Sequence, residues 1–114
     1  MYKKYNKYKN KKTVVDGIKF DSMKEAGRYS ELVLLHNMGM IKDLELQPEF
    51  ELCAGIMWNG KKLRARKYRA DFMYTDTVTG NVVVEDVKGA ITQLYSLKRS
   101  IFLNLYPEYT FIET

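Results

Sequence analysis

The sequence predicts an α/β chain of the α+β mixed-sheet kind: one sheet flanked by two helices, preceded by a small β-hairpin and a basic arm. Three observations predict it. Short runs rich in β-branched and aromatic residues, bounded by Gly, Asn, Asp and Pro, recur through the middle of the chain and read as strands. Two stretches, about 22–38 and 91–106, carry apolar residues at helical spacing. The second stretch lies between two strand segments, and a strand–helix–strand crossover places the last strand parallel to the one before it. At 114 residues the chain is one domain, with residues 1–12 as an arm and 13–114 as the folded body.

In chain order, residues 1–12 hold six lysines, no acid and no useful periodicity, as expected of a self-repelling arm. Tyr2, Tyr5 and Tyr8 fall between the lysines, so the arm offers both phosphate-neutralising groups and rings for stacking on unpaired bases. Asp16-Gly17 between Thr13-Val14-Val15 and Ile18-Lys19-Phe20 is a hairpin signal. Ser22, followed three residues later by Glu25, opens the first helix with a capping pattern. Met23, Ala26, Tyr29, Leu32, Leu34 and Leu35 form its apolar stripe, and Gly39 ends it. Ile41–Leu46 and Phe50–Ala54 read as strand, with a bend or bulge expected at Gln47-Pro48 because proline removes a ladder donor. Asn59-Gly60 turns Ile56-Met57-Trp58 into one long strand, Leu63–Thr75, with Tyr68, Ala70, Phe72 and Tyr74 on its apolar face. Val82–Lys88 is the next strand. The second helix, about Ile91 to Tyr106, shows Ile91, Leu94, Leu97 or Lys98, Ile101, Phe102 and Leu105 as its buried stripe. Pro107 stops it, and Tyr109–Ile112 is the last strand.

Composition removes several classes of function. No run of eighteen apolar residues is present, so no membrane span is expected. The basic N-terminal stretch lacks the apolar core of a secretory signal. Cys53 is the single cysteine, which excludes an internal disulfide framework and fits a reducing cytoplasm. With His36 the single histidine, a His/Cys zinc site is excluded too. The net charge of +5 is uneven: beyond the arm, the remaining 102 residues carry thirteen basic and fourteen acidic side chains. A second basic cluster follows at Lys61, Lys62, Arg64, Arg66, Lys67 and Arg69. Such clusters are the electrostatic footprint of a polyanion, most often nucleic acid, or else a solubilising surface.

The chemistry concentrates in the hairpin Lys67–Lys88. Pairing centred between Val78 and Thr79 sets residue 71 opposite residue 86, and opposed residues of an antiparallel pair share a face. Asp86 and Lys88, two apart, share that face at roughly 7 Å. Two opposed carboxylates repel. A divalent cation between them is one remedy, since Mg²⁺ is held by one or two carboxylates with waters and phosphate oxygens. A solvated face, with Asp71 paired to a neighbouring arginine and Asp86 to Lys88, is the other. Register decides which acid is involved, because a slip of one residue exchanges Asp86 for Glu85. Glu25 likewise has two readings, a first-turn cap against the helix dipole or a third acid near the hairpin.

The element order α-β-β-β-α-β, with Asp71 on the second strand and Asp86-Val87-Lys88 on the third, resembles the PD-(D/E)XK nuclease superfamily. The segments Gly17–Ala26 and Val84–Gly89 look most like a group of small bacteriophage and prophage proteins of unassigned function. They also resemble the endonuclease subunit of heteromeric transposases. The resemblance implies a restriction-endonuclease-like αβββαβ core, in a phage- or prophage-encoded protein of the bacterial host cytoplasm. It implies Glu25, Asp71 and Asp86 as ligands of Mg²⁺, with Mn²⁺ able to substitute, and Lys88 as a catalytic group beside them. Glu31 is the alternative helix acid. Ala70 stands where the family motif has proline, and Asp86 is shorter than the commoner glutamate. The implied activity is hydrolysis of DNA phosphodiester bonds, on branched, recombination or replication intermediates. Expected DNA contacts are Lys3, Lys4, Lys7 and Lys9 on the arm, Lys61, Lys62, Arg64, Arg66 and Arg69 in the second cluster, and Tyr95 and Lys98 on the second helix. Symmetric cutting of two strands would need a homodimer. A nucleic-acid-binding module without catalysis is the alternative reading.

Overall fold

The computed structural model describes residues 12–114; the arm positions Lys3, Lys4, Lys7 and Lys9 lie outside the described residues. The first hairpin pairs β1 (Thr13–Val15) with β2 (Ile18–Phe20) across Asp16-Gly17, both at positive φ, as a two-residue turn matched to strand twist requires. Helix α1 (Met23–Asn37) starts where the Ser22 hydroxyl accepts a hydrogen bond from Glu25 N at 3.1 Å. It ends at Met38 and Gly39, the latter at φ 77°.

The remainder is organised by one long hairpin bent twice. Strand β3 (Ile41–Leu46) leads into β4 (Glu49–Cys53) and β5 (Ile56–Trp58). After Asn59-Gly60 the chain returns as β6 (Lys61–Leu63), β7 (Arg66–Arg69) and β8 (Phe72–Asp76). The pairs are β5–β6, β4–β7 and β3–β8, all antiparallel. The single strand expected over Leu63–Thr75 is therefore three strands. The breaks fall at Arg64-Ala65, beside Gly55, and at Ala70-Asp71, opposite Gln47-Pro48. Gln47 takes φ 52° and Pro48 can donate nothing, so both sides of the hairpin turn together. Backbone bonds nevertheless continue through the lower bend: Gln47 N donates to Asp71 O at 2.9 Å, and Ala70 N to Pro48 O at 3.1 Å.

Strand β9 (Val82–Asp86) pairs antiparallel with β8. Helix α2 (Gln93–Leu105) then crosses over to β10 (Thr110–Glu113), which lies parallel to β9 as expected. The central sheet runs β10-β9-β8-β3. Successive β9 residues point to opposite faces. Val83 enters a core with Phe20, Ala26, Tyr29, Leu32, Ile41, Phe72 and Tyr74 under α1, while Val84 enters a second core with Phe50, Leu52, Tyr68, Ala70, Tyr95 and Phe102 under α2.

Two side-chain assignments from periodicity are corrected. Tyr68, Ala70, Phe72 and Tyr74 are all buried, but not on one face. The break at Ala70-Asp71 rotates the strand, so the first two enter the α2 core and the last two the α1 core. Of the stripe expected on α2, Phe102 is buried and Ile101 packs against the core, joined by Tyr95, whereas Leu94, Leu97 and Leu105, and Ile91 just before the helix, are exposed. Aromatic rings select the inward face: Phe102 packs its ring against Phe50, Tyr68 and Tyr106. On α1, Met23 and Leu34 are likewise exposed, while Ala26, Tyr29 and Leu32 carry the contact. Among the described residues no helix is long and apolar enough to cross a membrane.

Candidate functional site

The β8–β9 register is the expected one: Phe72 faces Glu85, Met73 faces Val84, Tyr74 faces Val83 and Thr75 faces Val82. One step further, the same register sets Asp71 against Asp86, at the end of the sheet and beyond the last regular pair. There the ladder changes character. Asp71 N donates to Glu85 O at 3.1 Å, and Val87 N donates to the Asp71 carboxylate Oδ2 at 2.6 Å. Ala70 turns to Pro48, and the Asp71 side chain supplies the acceptor that Val87 would otherwise find on the opposing backbone. Its carboxylate is thus fixed in place by the bend that ends the strand.

Asp86 is almost wholly buried. Its Oδ2 accepts a hydrogen bond from the Tyr68 hydroxyl, and Lys88 Nζ lies 3.1 Å from its Oδ1. The Lys88 ammonium also sits over the Tyr95 ring, 4.1 Å from its centroid. The Tyr95 hydroxyl in turn donates to Glu113 Oε2 at 2.5 Å, and Arg99 holds the same oxygen at 2.7 Å. Tyr95, expected to touch nucleic acid, is buried and instead forms the floor under Lys88. The backbone carbonyl of Lys88 accepts a 2.8 Å bond from Lys24 Nζ in the first turn of α1. This ties the loop after β9 to the helix that carries Glu25.

Asp71 and Glu25 are both shifted upward, each in part by the charge of Asp86. Burial pushes the Asp71 carboxyl up to about 7; the Val87 amide works against this, while the charge of Asp86, the hydrogen bond the two carboxyls share when one is protonated, and the charge of Glu25 add to it. Glu25 is raised by burial, then by Asp21 and Asp86, with Lys88 opposing. Carboxyls raised by burial and by neighbouring acids favour uptake of a proton or a cation. Among the described residues, no three His, Cys, Asp and Glu side chains stand as a ready-made metal-holding group. The donor chemistry suits a hard, oxygen-seeking cation: two facing carboxylates, and a third on the helix whose oxygens accept no hydrogen bond from the described residues. Glu25 and Asp71 line a common pocket of about 130 Å³ with Lys19 and Gln47. Glu31 points elsewhere, pairing with Arg28 at 3.0 Å on the surface.

On the α2 side, a larger cleft of about 510 Å³ is lined by Lys88 from the site and by Tyr68, Lys67, Arg69, Tyr95 and Lys98, with Glu49 at one side; none of the three acids lines it. Arg69 and Lys98, two of the expected contact residues, line this cleft. Lys61, Lys62, Arg64 and Arg66 do not line this cleft; they are exposed on or beside the β5–β6 ribbon.

Sequence reasoning missed two features. Tyr68 as the partner of Asp86 carries no sequence signal beyond its place in the buried alternation. Glu85, fully buried, was considered only as a register alternative. It accepts from Arg28 Nε at 2.5 Å and Nη2 at 3.0 Å, from the Tyr74 hydroxyl at 2.8 Å and from Thr114 Oγ1 at 3.0 Å. Its setting in Val82-Val83-Val84-Glu85-Asp86-Val87, an acid inside an apolar strand, was the available signal.

The family described as a protein of unknown function, DUF1064, matches residues 5–113. No curated protein matches the chain, and no solved structure does.

Proposed function

The chain belongs to the DUF1064 family of unknown function, and on that premise we propose that it is a Mg²⁺-dependent endodeoxyribonuclease built on a restriction-endonuclease-like core. The observation that carries the reading is the meeting of Asp71 and Asp86 at the end of the β8–β9 ladder, with Lys88 at 3.1 Å from Asp86 and the Asp71 carboxyl raised to about 7. The mixed sheet supports it: α1, β3, β8, β9, α2 and β10 follow the order α-β-β-β-α-β, with β10 parallel to β9.

In this reading Glu25, Asp71 and Asp86 would hold the ion, and Mn²⁺ would serve as well. When bound, the ion supplies Lewis-acid polarisation of a phosphate and lowers the pKa of water. The chain's own residues do the rest. The Val87 amide holds the Asp71 carboxylate in one orientation, and the Tyr68 hydroxyl does the same for Asp86. Lys88, steadied over the Tyr95 ring, presents a cation where negative charge grows on a phosphate under attack. Arg69 and Lys98 flank the cleft and suit backbone phosphates, which fix position without reading sequence.

The test is cleavage of supercoiled plasmid and of a branched junction with Mg²⁺ or Mn²⁺, comparing the parent with Asp71→Ala and Lys88→Ala. Each variant should lose activity by roughly 10²-fold or more, the scale of removing one transition-state electrostatic group. DNA binding without metal-dependent cutting on any of these substrates would sink the nuclease reading and leave a binding module.

A further inference from the structure

The β5–β6 ribbon is unused by the site described above. It consists of Ile56–Trp58 and Lys61–Leu63 joined by Asn59-Gly60, at φ 49° and 75°. The register pairs Ile56 with Leu63, Met57 with Lys62 and Trp58 with Lys61. Opposed residues share a face, so Ile56, Leu63, Trp58 and Lys61 lie together on one face and Met57 with Lys62 on the other. All six residues are exposed; Ile56, Met57 and Trp58 show 62%, 63% and 58% of their surface to solvent. A three-pair ribbon reaches ~10 Å beyond its base. A free two-stranded hairpin of this size gains little stability from such residues, so the folding of the ribbon does not explain them.

Charge identifies the occupant. Residues 54–66 contain Lys61, Lys62, Arg64 and Arg66 and no acid. The ribbon continues through β7 directly into the cleft wall at Lys67 and Arg69. A cationic ribbon with a large flat ring beside Lys61 at its tip suits a chain of phosphates whose base faces are uncovered. Duplex bases hide those faces in the stack, whereas an unpaired strand offers them.

We propose that the β5–β6 ribbon is a docking platform for unpaired DNA, on which Trp58 stacks against a base while Lys61, on the same face, neutralises a flanking phosphate. This rests on the nucleic-acid part of the reading above and not on cleavage.

Trp58 is the single tryptophan of the chain, so its fluorescence reports on the ribbon alone. With full-length protein in EDTA, titration with a short oligo-dT strand should quench the emission saturably, while a blunt duplex bound to the same extent by anisotropy should quench it far less. Trp58→Ala should weaken oligo-dT binding by roughly 10- to 100-fold, the range that corresponds to loss of one stacked base. Lys61→Ala should reduce the salt slope on oligo-dT by about 0.7. Unchanged emission at saturating oligo-dT, or full oligo-dT affinity in Trp58→Ala, overturns the proposal. So does a blue shift that grows with protein concentration without DNA and coincides with dimer formation in sedimentation, because a second copy would then cover the ribbon. Quenching by oligo-dT in a protein that cuts nothing supports the platform while refuting the nuclease. Metal-dependent duplex cutting without quenching does the reverse.

Discussion

Asp71 combines two roles that make its titration informative. Its Oδ2 completes the broken ladder by accepting from Val87 N, yet its carboxyl is raised to about 7 by burial and by the nearby acids. The native state therefore binds more protons than the unfolded chain between the ordinary carboxylate range and about pH 7, and stability falls as pH rises through that window. Without divalent cations the parent should lose roughly 1–2 kcal/mol between pH 5 and 8, after allowance for solvent screening. Asp71→Asn keeps the acceptor for Val87 and loses the charge, so its melting temperature should fall less over the same range, with only Glu25 still raised. Mg²⁺ at pH 8 should raise the melting temperature of the parent and leave the variant unmoved. A parent curve that is flat from pH 5 to 8 would contradict the acid cluster. Glu85 invites a different measurement. Its carboxylate is wholly enclosed and Arg28 is its cationic partner, so Arg28→Ala strands a buried charge and should cost about 3–5 kcal/mol in urea unfolding. The double variant Arg28→Met/Glu85→Gln should recover much of that loss. At this scale the sequence was informative where spacing alone decides, as in the Asp71–Asp86 register. It was silent where a partner arrives from a distant strand, as with Tyr68 on Asp86.

The turns and caps of the individual elements were legible because each rests on local chemistry. Asp16-Gly17, Asn59-Gly60, the Ser22 cap and the Gly39 stop all stand where residue type demanded them. Strand length was not legible, since alternation over Leu63–Thr75 continues through two bends that are set by residues on the opposite strand, Gly55 and Gln47-Pro48. At Gly55 the two sides approach so closely that an added Cβ would lie 3.1 Å from the Leu63 carbonyl oxygen. The inward face of α2 was read only in part: Ile101 and Phe102 stand in the expected stripe, but aliphatic spacing also pointed to Leu94 and Leu97, while the aromatic cluster on β4 and β7 draws in Tyr95. Phe102 has no exposed surface, and its ring centroid lies 4.9 Å from that of Phe50 and 5.2 Å from that of Tyr68. Phe102→Ala should therefore cost about 3–5 kcal/mol, whereas Leu97→Ala, on the exposed side, should change the unfolding midpoint little.

Across the whole molecule, one sheet separates two cores, and the acids stand at its rim between the N-terminal turns of both helices. The mixed topology was readable from element order. That the forearm of the hairpin leaves the sheet to pack on α2 was not, because nothing local records where a bent strand goes. Positive groups border the cleft at Lys67, Arg69, Lys88 and Lys98. Duplex binding should weaken steeply with salt, and Arg69→Ala/Lys98→Ala should lower the slope of log K against log salt by about 2, one phosphate for each cation. A slope unchanged in that variant would place the duplex elsewhere. The lower bend of the hairpin has its own consequence. It is clamped by three main-chain bonds, Gln47 to Asp71, Ala70 to Pro48 and Asp71 to Glu85, so the acid at the elbow takes its position from the body and not from what lies beyond it. The outermost β5–β6 tip, which gives no residue to either core, is then an interchangeable attachment: it can be trimmed, extended or grafted while Tyr68 on β7 and the acids it steadies keep their geometry.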